Sequence, residues 1–322
     1  MAVPTNTRTV YGAIGIREDL SNIIYNISPT DTPFLSGCGR ETADNTFFEW
    51  QTDDLTDAAA NRSLEGDDPT SIAKAEPTRV GNYTQISVKA VQTSGTAESV
   101  DFAGRKSSQA YQLAKRAKEM KRDMEKMLMD NVARNVGAAG TARVTAGLPA
   151  WVASNYHSLG SAPSPPGLGS ASSGNGTDTA SNATSTGTLT EAGMKTVIKE
   201  CFDNGGSPDT ILVGSSNKQV ISALSQTVSS LRTDANKAAP ASVVASVDVY
   251  VSDFGTFKIV PDRFQRSRDC WFIDFDFWAI AYLRPFRTET LAKTGDSVKQ
   301  MLISEYGLMS KNQKSSGFLA DV

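Results

Sequence analysis

The sequence predicts an α+β protein of about two domains, and three observations support this prediction. Apolar residues recur every three or four positions over residues 105–136, as they do in an amphipathic helix. Stretches such as 85–92 alternate apolar and polar residues, as strands do. A helix signal followed by several short apolar stretches between residues 188 and 283 predicts a mixed α/β region. The length of 322 residues is enough for two domains of roughly 150 residues each.

The first segment is an N-terminal arm that runs to about Arg40 and that we expect to be extended. Pro29 and Pro33 stand at both ends of a short polar stretch and discourage a continued helix. The stretch 46–50 then predicts a short strand, and an acidic, turn-rich segment, 53–77, separates it from the strand predicted at 85–92. Together these features predict a long two-stranded loop.

The central element is a single long amphipathic helix. Few strong helix breakers occur before Gly137, and at ~1.5 Å per residue the helix would reach roughly 45 Å. Its apolar positions are spaced by three and four residues: Ala110, Leu113, Ala114, Ala117, Met120, Met124, Met127, Leu128 and Val132. A helix of this length is expected to form the spine of the protein.

The C-terminal half begins after a predicted exposed loop, 158–187, which consists largely of Ser, Gly, Ala, Thr and Pro and cannot bury a face. Thr188 and Glu191 then form a capping box that predicts a helix ending near Asn204. The elements predicted after it are a strand at 211–213, a helix at 217–225 and strands at 241–251, 256–260 and 270–283.

Histidine-dependent and metal-dependent chemistry finds little support in the composition. His157 is the only histidine, so one imidazole would have to supply every general base, and no Cys or carboxylate stands at ligand spacing from it. Cys38, Cys201 and Cys270 are scattered, which favours a reducing compartment. The most apolar stretch, 271–283, is too short to span a membrane. No metal, cofactor or membrane partner is therefore expected.

Two sets of residues imitate enzyme motifs. Ser71 and Lys74, with Lys-Thr-Gly at 293–295, match two of the three motifs of serine-lysine penicillin-recognising enzymes, but the Ser-Asp-Asn motif is missing. Asp274 and Asp276 share one face of a predicted strand, about 6.5–7 Å apart, a separation that two-carboxylate glycosidases use. Accidental recurrence of short motifs and ordinary solvent-facing carboxylates explain both sets, so no catalytic residue is predicted.

Charge separates the loop from the helix. Residues 40–79 contain ten acidic and four basic residues, whereas residues 105–134 contain nine basic and four acidic residues. Opposite patches of this kind pair within a chain, pair between subunits, or remain two separately solvated faces. The residues proposed for such contacts are Asp53, Asp54, Asp57, Glu65, Asp67, Asp68, Lys115, Lys118, Lys121, Arg122 and Lys126.

Several local stretches are characteristic of one family. They include Glu65-Gly-Asp, Arg79-Val-Gly-Asn-Tyr-Thr-Gln-Ile, Asp253-Phe-Gly, Ile259-Val-Pro-Asp-Arg-Phe, Tyr282-Leu-Arg-Pro and Ala292-Lys-Thr-Gly-Asp. With the order of the predicted elements, they resemble phage major capsid proteins of the Hong Kong 97-type fold, a family often described only as a domain of unknown function. The resemblance extends over nearly the whole chain.

The resemblance implies how the chain is divided. It implies an extended β-hairpin called the E-loop, a long spine helix at 104–136 within a peripheral domain, and a mixed α/β axial domain. The implied boundaries are the arm 1–41, the E-loop 42–103, the peripheral domain 104–187 and 286–322 with its exposed loop 158–187, and the axial domain 188–285.

The resemblance also implies a function. The chain is expected to be a non-enzymatic major capsid protein that is assembled in the host bacterial cytoplasm and located in the virion. It would form hexamers and pentamers of an icosahedral head around double-stranded DNA. The implied partners are other copies of the chain, a portal, a scaffold and a decoration protein. With 32 basic and 35 acidic residues, contact with DNA is expected to be weak and non-specific. The alternatives left open are an encapsulin-like compartment shell, a serine/lysine hydrolase, and a tail-tube or adaptor protein.

Overall fold

The structure is a computed structural model. It describes residues 31–53, 55, 58–62, 64–66, 68, 76–102, 107–160, 174–180, 182–229 and 248–322. The first thirty residues of the predicted arm, much of the acidic E-loop segment and nearly half of the predicted exposed loop lie outside these ranges. Ser71 and Lys74 of the hydrolase-like motif lie outside them as well.

The described residues form five α-helices and twelve strands. The helices are α1 Pro33–Gly37, α2 Gly95–Ser99, α3 Ser108–Met129, α4 Glu191–Asp203 and α5 Ser215–Ser229. The first six strands are β1 Gly39–Thr42, β2 Phe47–Thr52, β3 Thr78–Tyr83, β4 Gln85–Ser94, β5 Tyr156–Ser158 and β6 Thr210–Val213. The other six are β7 Val249–Ser252, β8 Gly255–Pro261, β9 Asp269–Ile273, β10 Trp278–Thr290, β11 Ser297–Ser310 and β12 Gly317–Ala320.

The spine helix α3 is shorter than the predicted 104–136. The Ser107 hydroxyl caps its first turn by accepting a hydrogen bond from the Ala110 amide. At the other end Asp130 is extended, with φ −82° and ψ 151°, and its carboxylate accepts from the Asn131 amide. This local hydrogen bond competes with the helix, so α3 ends at Met129, well before Gly137.

A four-stranded sheet, in the order β1-β10-β11-β4, packs against α3. Strand β1 runs parallel to β10, and the other two pairings are antiparallel. The predicted strand at 85–92 is confirmed as part of β4, but its apolar face is the exposed one, because Ile86 and Val88 are each 46% exposed. The opposite face carries Lys89 and Thr93 toward α3, where they contact Asp123 and Gln109.

A six-stranded sheet, in the order β5-β12-β9-β6-β8-β7, forms the second layer. Helix α4 packs on it and buries Met194, Val197 and Cys201. The predicted capping box is wrong by two residues, since the Thr190 hydroxyl, not Thr188, caps α4 by accepting from the Gly193 amide at 3.2 Å.

The C-terminal strand β12 belongs to this six-stranded sheet, although the predicted division placed residues 286–322 in the peripheral domain. It pairs with β9 and β5, and Phe318 stacks on Trp271 with ring centroids 3.8 Å apart. The strand is apolar and fully buried, which explains why it returns to the core of the second sheet.

The predicted strand at 270–283 is two strands, β9 and β10, separated by a 3₁₀ turn at Phe275–Phe277. The Asp274 carboxylate caps this turn by accepting from the Asp276 amide at 3.1 Å. The prediction that Asp274 and Asp276 share one strand face is therefore wrong. Of the strand predicted at 241–251, only β7 falls within the described residues.

One hydrophobic core joins the two sheets. It includes Trp151, Trp271, Trp278, Tyr306 and Phe318, all fully buried. A second cluster lies between α4 and the six-stranded sheet and contains Met194, Ile211, Phe257 and Phe272. Because the first cluster draws side chains from both sheets, these layers are held together by apolar packing.

Candidate intersubunit surface

Helix α3 presents one buried face and one cationic face. Met120, Met124 and Leu128 are fully buried against the sheet, as their spacing predicted. Lys115, Lys118, Lys121 and Lys126 are exposed, and none of these four forms an ion pair within the described part of the chain.

The acidic residues of α3 do not neutralise this face. Glu119 pairs with Arg116 at 2.5 Å, and Asp123 pairs with Lys89 of β4 at 2.6 Å. The third acid, Glu125, is buried. In the ion pair between β4 and α3, the basic residue therefore lies on the E-loop strand and the acidic residue on the helix. The predicted pairing had acids on the loop and basic residues on the helix.

Arg122 differs from the four exposed lysines. It is half-buried, and its guanidinium lies 5.5 Å from the centre of the Phe264 ring. Its Nε is buried without a hydrogen-bond partner among the described residues. The structure thus places this predicted contact residue against the segment that follows β8.

The E-loop begins as a regular hairpin of β2 and β3. The two strands pair from Phe47 opposite Tyr83 to Thr52 opposite Thr78. The hairpin packs onto β11, where Gly307 leaves room for the ring of Phe48; a Cβ at Gly307 would stand 2.5 Å from that ring. The hairpin is therefore seated closely against the four-stranded sheet.

Beyond the hairpin, the described part of the acidic segment is exposed. Asp53, Glu65 and Asp68 are all exposed, and Glu65 and Asp68 form no ion pair with a described residue. Asp54, Asp57 and Asp67 lie outside the described residues. Leu55 and Leu64 are 98% and 81% exposed, although leucine is normally buried. The segment thus combines exposed acids with two exposed leucines.

A groove of about 650 Å³ lies between α1, the middle of α3 and strand β10. Its walls combine apolar and basic side chains. The apolar ones include Leu35, Phe286 and Leu302, and the basic ones are Arg40, Lys121 and Arg287. Arg287 pairs with Glu289 at 2.7 Å, but Arg40 and Lys121 form no ion pair among the described residues. None of the described residues that line the groove is acidic, so the groove suits a segment that is both acidic and apolar.

Of the predicted contact residues that the structure describes, only Lys121 lines this groove. The charge pattern of the sequence does not point to Arg40, Phe286 or Arg287. A partial signal was present, because the stretch 284–287 places two arginines around an exposed aromatic residue, which is 37% exposed at Phe286.

Glu305 fixes the base of the E-loop. It is 3% exposed, accepts from the Thr84 hydroxyl at 2.8 Å, and pairs with Arg284 at 2.8 Å and with Arg143. These partners come from the turn between β3 and β4, from β10 and from the segment that follows α3. One carboxylate thus joins three parts of the chain around the hairpin.

Glu125 occupies a very different site behind the groove. Its side chain is fully buried, and its two carboxylate oxygens accept from the amides of Phe34 and Leu35 at 2.8 and 2.7 Å. Burial raises the pKa of Glu125 to about 8; the two amides lower it and Asp262 raises it further. This acid connects the spine to α1, one wall of the groove.

Ser71 and Lys74 lie outside the described residues, and the enzyme-like residues that are described do not assemble into a site. Lys293 is exposed and lies 3.9 Å from Asp296. His157 is half-buried in the edge strand β5, and the three cysteines are buried and free. Among the described residues, no group of three His, Cys, Asp or Glu side chains is placed to hold a metal ion. No described helix has the length and apolar composition needed to cross a bilayer.

Comparison with known proteins gives consistent matches. The family model described as SU10 major capsid protein matches residues 3–322. The curated major capsid protein of Escherichia phage Phieco32 is 28% identical over 337 aligned residues, which cover 96% of this chain and 95% of that protein.

Solved capsid structures share the fold at low sequence identity. A chain of the cyanophage A-1(L) capsid matches with a TM-score of 0.69 and 13% identity, over 95% of this chain and 97% of that one. A chain of the native GTA particle capsid matches with a TM-score of 0.59 and 12% identity, over 98% and 99%. The predicted fold class is therefore confirmed.

Proposed function

The chain belongs to the SU10 major capsid protein family, and from this premise we propose how its surfaces build a shell. It is a phage major capsid protein whose place is the virion capsid, where it associates with other copies of itself. The family match favours this function over a compartment shell and over a serine/lysine hydrolase. We propose that the role is structural, without catalytic turnover.

The acidic E-loop segment of one subunit docks on the cationic surface of its neighbour, in the groove between α1, α3 and β10. The observation that carries this proposal is that one chain has an exposed segment that is acidic and apolar and, separately, a groove that is basic and apolar. Leu55 and Leu64 are exposed beside acids, while Arg40 and Lys121 line an amphipathic groove without ion pairs among the described residues. The exposed leucines are unfavourable in an isolated subunit, where Arg40 and Lys121 of the groove have no acidic partner among the described residues. Both the leucines and these two basic residues gain favourable contacts when two copies meet.

The apolar and charged parts of this contact do different work. Burying a leucine against Leu35, Phe286 and Leu302 contributes about 2 kcal/mol per side chain. Opposite charges at the rim contribute less energy, but they select the register and speed the encounter of subunits. Lys115, Lys118 and Lys126 extend the same positive field along α3 beyond the groove.

The larger assembly follows from repetition of this contact. Hexamers and pentamers form an icosahedral head around double-stranded DNA, with a portal, a scaffold and a decoration protein as further partners. Many weak contacts repeated between neighbours give a shell that is more stable than any one interface. The division into arm, E-loop, peripheral and axial domains is retained, except that β5 and β12 are assigned to the axial sheet and β10 to the four-stranded sheet.

Contact with the packaged DNA is weak and non-specific. The net charge of −3 gives no overall positive field, and the exposed lysines of α3 are reserved for the neighbouring subunit. Isolated capsomers should bind duplex DNA weakly and lose that binding as salt rises. Nanomolar binding at physiological salt would contradict this part of the proposal.

The docking proposal is tested by charge exchange. Reversal of Asp53, Asp54 and Asp57 to lysine in one variant, or of Arg40 and Lys121 to glutamate in another, should lower the yield of closed particles seen by electron microscopy. The chain that carries both sets of changes should recover part of that yield, because the opposite charges face each other again. Recovery no better than either single set would overturn the pairing.

A matched control separates this effect from general charge change. Lys195 is an exposed lysine on α4, paired with Glu191 at 2.8 Å and distant in sequence from the groove. Its reversal to glutamate should leave the yield unchanged. The apolar part is tested by Leu55→Ser with Leu64→Ser, against Val100→Ser, where the native side chain is 55% exposed; only the leucine pair should reduce the yield.

A further inference from the structure

The short helix α1 lacks a cap of its own and takes one from the spine. Thr32 stands at its N-cap position, but the Thr32 side chain makes no capping hydrogen bond. The amides of Phe34 and Leu35 donate instead to Glu125 of α3, which is about ninety residues away in sequence. A buried carboxyl group therefore holds the first turn of α1, and α1 forms one wall of the groove.

Glu125 faces a second buried acid. Asp262 follows β8, is 2% exposed, and accepts through Oδ1 from the Phe264 amide at 2.9 Å. Its Oδ2 is buried without a hydrogen-bond partner in the described part of the chain. Burial raises the pKa of both carboxyl groups; Asp262 raises the pKa of Glu125 further, whereas a hydrogen bond with Glu125 lowers the pKa of Asp262. Two negative charges in this dry site would repel each other.

The remaining groups around the pair offer no compensating cation. Neither Glu125 nor Asp262 forms an ion pair with a described residue. Directly after α1 the titratable group is Cys38, and burial followed by the charge of Glu125 raises the pKa of its thiol. On α3 the nearby charge is Arg122, whose guanidinium lies over Phe264 rather than on either carboxylate. A proton is the positive charge that this site lacks.

We propose that Glu125 and Asp262 share one proton, and that this shared proton fastens α1 to the spine and to the segment after β8. The proton supplies the missing donor for Oδ2 of Asp262 while both amides of α1 keep their acceptors. Loss of the proton leaves two adjacent carboxylates, so α1 detaches more readily and the groove loses a wall. We call this shared-proton contact between Glu125, Asp262 and α1 the latch. Its consequence for assembly rests on the proposed docking in the groove, whereas the latch itself does not.

The sign of the pH dependence follows from the two states. In the closed state the pKa of Glu125 is about 8, whereas in an opened state it returns to the ordinary value of 4.5. Between these values opening releases a proton to solvent, so opening becomes about tenfold more frequent for each pH unit gained. Above about pH 8 both states are deprotonated, and the dependence levels off.

Hydrogen exchange of the unassembled full-length subunit tests the latch. After correction for the intrinsic effect of pH, protection of the amides in α1 should fall about tenfold per pH unit between pH 5.5 and 8 and then level off. Glu125→Gln, which cannot ionise, should remove this dependence. Glu119→Gln, a half-buried acid on the same helix that pairs with Arg116, should leave it unchanged. A flat profile in the native chain, or a slope that survives in Glu125→Gln, would overturn the proposal.

Two further variants keep the test decisive if Glu125→Gln folds poorly. Asp262→Asn removes the neighbouring charge, so the levelling point should move to lower pH. Cys38→Ser should leave the profile unaltered; a lost slope there would assign it to the thiol instead. Because exchange is measured before assembly, failure of the E-loop docking does not affect the result, and a working latch does not rescue that docking.

Discussion

Glu305 and Glu125 are both buried carboxyl groups that join separate parts of the chain, but their surroundings are opposite. Glu305 lies between Arg143 and Arg284, which offset the cost of burying its charge. Glu125 lies between two backbone amides and Asp262, with no cation paired to it among the described residues. The base of the E-loop is therefore held by ion pairs. Helix α1, in contrast, is held by a contact that depends on a proton.

The largest effect on the free energy of unfolding is expected from breaking the ion pairs that Glu305 forms with Arg143 and Arg284. Glu305→Ala would leave two guanidinium groups facing each other near the core, and loss of one partner of a buried pair costs about 3–5 kcal/mol. Denaturant unfolding of the unassembled subunit should show this loss. Glu289→Ala, which removes an exposed partner of Arg287, is the control and should cost less than about 1 kcal/mol. Equal effects of the two variants would show that Glu305 is not a buried anchor.

A smaller loss of stability is expected from breaking the contact between Glu125 of α3 and helix α1. At pH 6, where the shared proton is bound, Glu125→Ala leaves the Phe34 and Leu35 amides without acceptors and Oδ2 of Asp262 without its donor. We therefore expect a net loss of about 2 kcal/mol in the free energy of unfolding at pH 6. Glu119→Ala, on the same helix, should lose only the energy of one surface pair with Arg116. A Glu125→Ala loss as large as that of Glu305→Ala would remove the distinction between the two junctions.

The sequence predicted regular elements better than the two junctions. Helix α3 was predicted because Met120, Met124 and Leu128 recur at helical spacing, and local periodicity is visible in one sequence. The exposed face of β4 was not predictable, since alternation alone does not say which face meets α3. The same limit applies to β12, whose place depends on packing with Phe272 and Trp271, far away in sequence.

The candidate surface was predicted in part. The lysines of α3 and the acids Asp53, Glu65 and Asp68 are exposed, and their contact between subunits stays a prediction. Glu125 was counted simply as one helix acid, although it falls three residues before Leu128 on the apolar stripe. An acid on such a stripe is a signal of a buried site. Its partners, α1 and Asp262, required the tertiary fold.

The pH dependence of stability sharpens the comparison. Because the folded pKa of Glu125 is about 8 and its ordinary value is 4.5, the folded state binds more protons between these values. The free energy of unfolding should therefore fall as pH rises through this window, by at most about 1.4 kcal/mol per pH unit. Asp269, whose pKa burial raises to about 7, acts in the same direction. Subtraction of the Glu125→Gln profile from the native profile isolates the contribution of Glu125.

The smallest expected effect is that of Asp262→Asn, and it tests the origin of the proton dependence. Asparagine still accepts from the Phe264 amide through its one oxygen and presents its NH2 group as a donor to an oxygen of Glu125, so stability at pH 6 should change by less than about 1 kcal/mol. At pH 9 the variant should be more stable than the native chain, because it lacks the second negative charge beside Glu125. If instead Asp262→Asn destabilises equally at both pH values, Asp262 acts only as a turn-capping residue, and burial alone raises the pKa of Glu125.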